Sequence, residues 1–224
     1  MISLSSYRSP FRATVDFPES CAPLEEVSAA APGDLAASLG FALSRLAAAA
    51  ERRPVALVTH AAWVRERGRP FGQGLARWLD PDRLIWVRAE REIEALWALE
   101  EALKSGAVAG GLVTAANPSF VATHRLDAAA RAGKAVGMLL RVTASNDLSA
   151  ARRRWRVAAL SSAKADFDKG APGAIRLRAE LIRSRDGLPN GWELEQSDET
   201  GRLSVVAGLA DHGLAAHPRR IAAA

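Results

Sequence analysis

The chain has 224 residues, 49% of them hydrophobic and 25% charged, which is enough apolar material for one sizeable α/β domain. Its net charge of +5 favours acidic partners but is too small to identify a nucleic-acid-binding protein by itself. The single cysteine, Cys21, excludes an intramolecular disulfide, and no apolar run approaches the roughly 20 residues that cross a bilayer. We therefore expect a cytoplasmic protein with no membrane segment.

The first 32 residues contain four prolines and no sustained hydrophobic period. We interpret residues 1–32 as an extended arm that precedes the folded domain. Phe11, Val15 and Phe17 are the apolar residues with which such an arm could dock. They would pack either on the arm's own domain or on another subunit, as an assembly arm of a homo-oligomer or of a complex with a partner.

A helix followed by a buried strand comes next. Asp34 is a good N-cap residue for a helix over Leu35–Glu51. The apolar stripe of that helix consists of Leu35, Leu39, Leu43 and Leu46. After Pro54, the short apolar run Val55–Thr59 predicts a strand.

The centre of the chain predicts a strand–helix–strand unit. Leu84–Val87 is a continuous apolar run, the pattern of a strand buried on both faces. A helix follows, which Gly106 ends, and Val108–Val113 is apolar again. The residues that we assign to the apolar face of this helix are Ile93, Leu96, Trp97 and Leu103. We expect Trp97 to anchor that face in the core.

The last part of the chain changes character. Phe120–Ala132 predicts a helix and Ala135–Arg141 a strand. Beyond these, turn sequences such as Asp186-Gly187 separate three further strands. These strands are Trp155–Leu160, Ile175–Arg183 and Trp192–Glu195. We therefore expect an α/β domain over residues 33–205, parallel at first and antiparallel at its end, with a flexible C-terminal tail over residues 206–224.

Two kinds of site have no sequence signal. The phosphate-binding sequence G-x-x-x-x-G-K-[ST] does not occur, and the loop before the first helix, residues 29–34, has no lysine and ends in Asp34. An acid at that place would repel a phosphate. The four histidines have no metal-ligand spacing with one another or with Cys21. The residues thus predict no cofactor, no metal and no catalytic group.

One cluster of basic residues remains. Arg152, Arg153, Arg154 and Arg156 flank Trp155, and arginines beside a stackable ring are typical of nucleic-acid or acidic-partner binding. The alternative is a solvated strand face, since nearby arginines alternate with apolar residues. The sequence leaves both interpretations open.

The order of these segments resembles a known family. The matching segments are Leu79 to Val87, Ala95 to Val108, Ala122 to Leu126, Met138 to Arg141, Arg154 to Val157, Leu177 to Arg185 and Gly191 to Glu195. They cover most of residues 55–195 and resemble ImuA, a family of RecA-like accessory proteins from the bacterial damage-inducible mutagenesis cassette.

The resemblance implies a fold and a set of partners. The fold would be a RecA-like core, in which the strand ending at Thr114 would carry a magnesium-binding aspartate. With threonine there and no phosphate loop, both halves of a nucleotide site are missing. The implied partners are an ImuB-type polymerase-like protein and an error-prone replicative polymerase, with RecA and single-stranded DNA as further candidates. The resemblance implies no site residues.

Three functions therefore compete. The first is a non-catalytic adaptor of error-prone translesion synthesis in the SOS response. The second is a degenerate RecA-type NTPase, and the third is a single-stranded DNA-binding module that uses the arginine cluster.

Overall fold

The computed structural model describes residues 16–50, 52–142, 147–164, 168 and 171–206. The strands are β1 (Leu24–Ala29), β2 (Val55–His60), β3 (Leu84–Ala89), β4 (Gly110–Thr114), β5 (Val136–Arg141), β6 (Arg153–Leu160), β7 (Ile175–Ser184), β8 (Asn190–Gln196) and β9 (Leu203–Val205). The helices are α1 (Leu35–Ala50), α2 (Ala61–Arg67), α3 (Gly72–Leu75), α4 (Glu92–Lys104) and α5 (Phe120–Gly133). Short 3₁₀ turns cover Pro32–Asp34 and Pro81–Arg83.

All the described strands form one sheet in the order β3-β2-β4-β5-β1-β6-β7-β8-β9. The pairs from β3 through β6 are parallel, and those from β6 through β9 are antiparallel. This confirms the expected fold class, a mainly parallel α/β sheet flanked by helices, with antiparallel strands at its C-terminal end. No helix in the described part of the chain is long and apolar enough to span a membrane.

The sheet has a hydrophobic core on each face. On one face α1 contributes Phe41 and Leu46 to a cluster that contains Trp155 and Trp192. On the other face α4 and α5 pack against the parallel strands, with Leu99, Leu103 and Leu126 fully or almost fully buried. The parallel strands are therefore covered on both sides, as parallel sheets generally are.

The expected boundary of the arm at residue 32 is wrong. Strand β1 lies inside the sheet, between β5 and β6, and all six of its residues are buried. The sequence did not indicate a strand there because Glu25 and Glu26 interrupt the apolar pattern. Residues 16–32 thus belong to the domain.

Of the three apolar residues that we assigned to the arm, only Phe17 lies within the described residues. Phe17 packs within its own domain, with ring centroids 5.6 Å from Trp192, 5.9 Å from Trp155 and 6.4 Å from Phe41. Phe11 and Val15 lie outside the described residues, so assembly through them stays a prediction. Most of the tail, residues 207–224, lies outside them too.

Strand β3 is not buried on both faces as expected. It is an edge strand that pairs with β2, and Ile85 is 47% exposed. Every residue of β3 is half-buried or exposed, although the run Leu84–Val87 has the apolar composition of a central strand. Strand β2 does have neighbours on both sides, β3 and β4, as predicted.

The predicted apolar face of α4 is confirmed for Leu96 and Leu103 and wrong for Ile93 and Trp97. Trp97 is 58% exposed and Ile93 is 60% exposed. The buried residues of α4 are Ala95, Leu96, Leu99 and Leu103. Ala95, Leu99 and Leu103 repeat every four residues and share one face, whereas Trp97, two positions from Ala95 and Leu99, points away from that face.

Candidate functional site

The turn between β1 and α1 lies where open α/β sheets bind ligands, beyond the carboxyl end of a central parallel strand. After β1, Ala30 donates its backbone N–H to the carbonyl oxygen of Val157 at 2.8 Å. The 3₁₀ turn Pro32–Asp34 then leads directly into α1. The short turn is thus hydrogen-bonded to β6.

The carboxylate of Asp34 binds two backbone amides at this turn. Its Oδ2 accepts a hydrogen bond from the N–H of Ala31 at 3.0 Å, and its Oδ1 accepts one from the N–H of Ala159 in β6 at 2.9 Å. Backbone amides in front of a helix are the groups that hold phosphates in nucleotide-binding proteins. Here a carboxylate of the protein binds the amide of Ala31 in front of the helix, together with one from β6, so a phosphate would meet an occupied amide and a negative charge.

In a nucleotide-binding RecA-like protein, the second half of the site would lie at the carboxyl end of β4. Thr114 is the last residue of this strand and is 2% exposed. Its Oγ1 is buried and has no hydrogen-bond partner among the described residues. Magnesium prefers carboxylate oxygens, which this position does not supply. Among the described residues, no group of three or more His, Cys, Asp or Glu could hold a metal ion.

Two of the four arginines in the cluster are buried. Arg153 is 9% exposed, Arg154 is 5% exposed, and Trp155 between β1 and β7 is fully buried. The Trp155 ring packs 5.2 Å from that of Phe41 and 5.9 Å from that of Trp192, so it offers no face to a base. Both interpretations of the cluster, a binding site and a solvated strand face, require exposed arginines, and Arg153 and Arg154 are buried.

Glu25 of β1 explains the burial of Arg153. Its Oε2 lies 2.7 Å from Nε of Arg45 and accepts a hydrogen bond from Nε1 of Trp155 at 2.8 Å. Its Oε1 accepts hydrogen bonds from Nη2 of Arg45 at 2.8 Å and from Nη1 of Arg153 at 3.4 Å. We call this set the Glu25 network. It lies on the α1 side of the sheet.

Glu26, the next residue of β1, forms ion pairs with two arginines on the opposite face of the sheet. Its Oε1 lies 2.8 Å from Nη2 of Arg154 and 3.3 Å from Nη1 of Arg141, the last residue of β5. Arg141 also donates to the carbonyl oxygen of Ala116 at 3.0 Å. Neighbouring glutamates thus neutralise arginines on both faces of β1. The sequence reasoning missed both glutamates, because their partners lie more than 100 residues away apart from Arg45.

The other two arginines of the cluster are partly accessible. Arg152 is half-buried, and its Nε lies 3.4 Å from Oδ1 of Asp127 in α5. Arg156 is half-buried in β6. Within the described ranges neither lies over an aromatic ring, because Trp155 faces the core. Binding of nucleic acid or an acidic partner by these two residues stays a prediction.

Burial and charge change the pKa values of Arg45, in the Glu25 network, and of Cys21 beside it. Burial alone would lower the pKa of Arg45, but the charge of Glu25 and the hydrogen bond to it outweigh burial, so this pKa is raised. Burial raises the pKa of the Cys21 thiol to about 11, although Arg45 opposes the shift. The Cys21 thiol donates to the carbonyl oxygen of Arg45 at 3.3 Å. It is therefore neutral at physiological pH and unsuited to act as a nucleophile or metal ligand.

The structure also shows a surface that the sequence reasoning had placed in the core. The exposed side of α4 and the start of α5 enclose a groove of about 290 Å³. Its lining includes Ile93, Trp97 and Ala122. Two ion pairs stand at its rim, Arg91–Glu94 at 2.6 Å and Arg125–Glu100 at 2.9 Å.

Comparison with known proteins identifies relatives. No protein-family model matches the sequence. Two curated proteins named "Protein ImuA", from two strains of Caulobacter vibrioides, are 35% identical to it over 210 residues. The match covers 87% of this chain and 81% of each relative.

A weaker likeness was found among solved structures. The crystal structure of SulA from Pseudomonas aeruginosa is 24% identical, with a TM-score of 0.37 over 54% of this chain and 98% of that one. This likeness carries no weight for the function. The match to the Caulobacter proteins covers more than four fifths of both sequences, and on this evidence the chain belongs to the ImuA family.

Proposed function

We propose that this protein is a non-catalytic, RecA-like accessory protein of SOS-induced error-prone translesion DNA synthesis. Membership of the ImuA family gives it a role in the damage-inducible mutagenesis cassette. The finer proposal is that it acts as an adaptor, which binds an ImuB-type polymerase-like protein and an error-prone replicative polymerase. Such partners work on DNA, so we place the protein in the cytoplasm.

The observation that supports a non-catalytic role best is the position of the Asp34 carboxylate. It accepts hydrogen bonds from the amides of Ala31 and Ala159, in the place where a nucleotide-binding relative would hold phosphates. Phosphoryl-transfer enzymes neutralise their phosphates with a lysine and magnesium. This turn offers neither, and it adds a negative charge.

The groove beside α4 is the best candidate for the adaptor's partner surface. Trp97 and Ile93 are large apolar side chains, each more than half exposed, at the mouth of a groove with a charged rim. Tryptophan is enriched among the residues that dominate protein–protein binding energies, and such residues are surrounded by polar rims. We propose that an apolar segment of the polymerase-like partner binds here.

Co-purification of the polymerase-like partner tests this function. The partner should be retained by the tagged wild-type chain and lost, or weakened at least tenfold, with Trp97→Ala. The matched control is Leu188→Ala, which removes another exposed apolar side chain, 65% exposed, and should retain the partner. If the wild type retains no partner, the adaptor function is wrong. If both variants bind like wild type, only the assignment of the groove is wrong.

RecA is the further protein partner that the family resemblance implies. The same assay with purified RecA addresses it, and binding that survives Trp97→Ala would locate RecA on another surface.

A further inference from the structure

Three arginines between the end of α2 and β3 lie over tryptophan rings, two of them near the β3 edge of the sheet. The guanidinium carbon of Arg67 is 5.7 Å from the ring centroid of Trp63, and that of Arg69 is 5.9 Å from the ring of Trp86. Arg77 lies 5.0 Å from the ring of Trp78. Cation–π pairs of this kind are favourable, and they hold the arginine heads close to the ring faces.

The rings are fixed to the sheet. Trp86 belongs to β3 and lies opposite Leu57 of β2, and its Nε1 donates to Oγ1 of Thr59 at 3.0 Å. Trp63 belongs to α2, which starts directly after the carboxyl end of β2. Both tryptophans are half-buried against the same core cluster. The arginine heads over these two rings are thus held in place by rigid elements.

The loop after α2 adds an exposed ring. Phe71 is 71% exposed and precedes α3. We call Trp63, Arg65, Arg67, Arg69, Phe71 and Trp86 the arginine–aromatic surface. It differs from the Arg152–Arg156 cluster, whose aromatic residue is buried.

Two arginines next to this surface form ion pairs with carboxylates, whereas those of the surface do not, among the described residues. Arg77 lies 3.5 Å from a carboxylate oxygen of Asp198, and Arg88 lies 3.1 Å from one of Glu90. Arg65, Arg67 and Arg69 are exposed and form no ion pair with any residue in the described ranges. The only acid among residues 61–71 is Glu66, so this stretch carries a surplus of two positive charges.

We propose that the arginine–aromatic surface binds single-stranded DNA. Exposed guanidinium groups attract phosphates, and the exposed ring of Phe71 can stack on an unpaired base. Both features lie within residues 61–71. A duplex keeps its bases stacked on one another and cannot use the ring, so the surface favours single strands. This proposal does not depend on the adaptor function.

Fluorescence anisotropy with a labelled oligo-dT strand, measured across salt concentrations, tests the charge contribution. The triple variant R65A/R67A/R69A should bind more weakly at low salt. Because three phosphate contacts are lost, its log–log slope against salt should be less steep by about 2. The matched control is R183A/R185A/R202A, which removes three exposed arginines elsewhere and should keep affinity and slope close to wild type.

Phe71→Ala tests the stacking contribution separately. Loss of one stacked base lowers affinity about fivefold to a hundredfold, and the slope stays unchanged because no charge is removed. Since Phe71 is exposed, the variant should fold normally.

Four results would overturn the proposal. The first is a wild-type chain that does not bind the strand at low salt. The second is equal weakening by the two triple variants. The third is a Phe71→Ala protein that binds like wild type, and the fourth is a duplex of the same length that competes as well as the single strand.

Discussion

The Glu25 network places a carboxylate, two guanidinium groups and an indole N–H in the core of the domain. Glu25 is fully buried and Arg45 is 3% exposed. Removing one partner of a buried ion pair leaves the other charge without compensation, which costs far more than the pair contributes. The fold therefore depends on Glu25 although its side chain is polar.

We predict that Glu25→Ala lowers the free energy of unfolding by about 3–5 kcal/mol, because Arg45 then stays buried without a counter-charge. Urea denaturation followed by tryptophan fluorescence measures the loss. The control is Glu90→Ala, which breaks the exposed ion pair to Arg88 and should leave stability essentially unchanged. Equal stability of the two variants would contradict the assignment of the network.

A second prediction concerns Cys21. Burial raises the pKa of its thiol to about 11, and only the thiolate reacts with alkylating agents. The alkylation rate of the native protein should therefore stay low through pH 9 and rise towards pH 11. Iodoacetamide labelling followed by mass spectrometry at each pH measures it. A rate that levels off near pH 9, as for an ordinary thiol, would show that the site is not desolvated.

Among the elements, α4 combines a buried face with an exposed apolar one. Leu99 is fully buried between the sheet and α5, whereas Trp97, two residues earlier, is 58% exposed. A tryptophan that is left in solvent contributes little to folding, so its exposure is better explained by a partner than by packing.

We predict opposite results for two substitutions in α4. Leu99→Ala should destabilise the domain by about 2–5 kcal/mol, because it leaves a cavity in the core. Trp97→Ala should cost less than about 1 kcal/mol, because it removes a mostly exposed side chain. Thermal and urea unfolding of both variants test this. A larger loss with Trp97→Ala than with Leu99→Ala would mean that the helix faces are reversed.

Local patterns predicted most of the long helices and strands, but they missed β1 and misjudged the burial of β3. The leucine spacing of α1, the apolar runs of β2 and β5, and the glycine turns around β7 and β8 all identified real elements, because each signal is contained in neighbouring residues. Strand β1 was missed because Glu25 and Glu26 read as loop residues. Their arginine partners on β5 and β6 come together only in the folded sheet. For β3, the apolar run of this edge strand could not be distinguished from the run of a central strand.

At the scale of the whole molecule, the order of strands in the sheet explains the contacts that Asp34 makes after β1. β1 is central, and the turn that follows it is closed by Asp34 with the help of Ala159, 125 residues further along the chain. The sequence predicted the repulsive acid at residue 34. It could not predict the second hydrogen bond, because nothing local indicates that β6 lies beside β1.

The central claim is that the protein acts by binding partners, with no nucleotide at the turn between β1 and α1. Calorimetric titration of the purified chain with ATP and magnesium tests it most directly. Without a lysine or a metal-binding carboxylate, and with the two amides bound to Asp34, the main contacts to phosphates are missing. The account predicts no saturable heat of binding. A micromolar Kd, equivalent to about −8 kcal/mol, would contradict it.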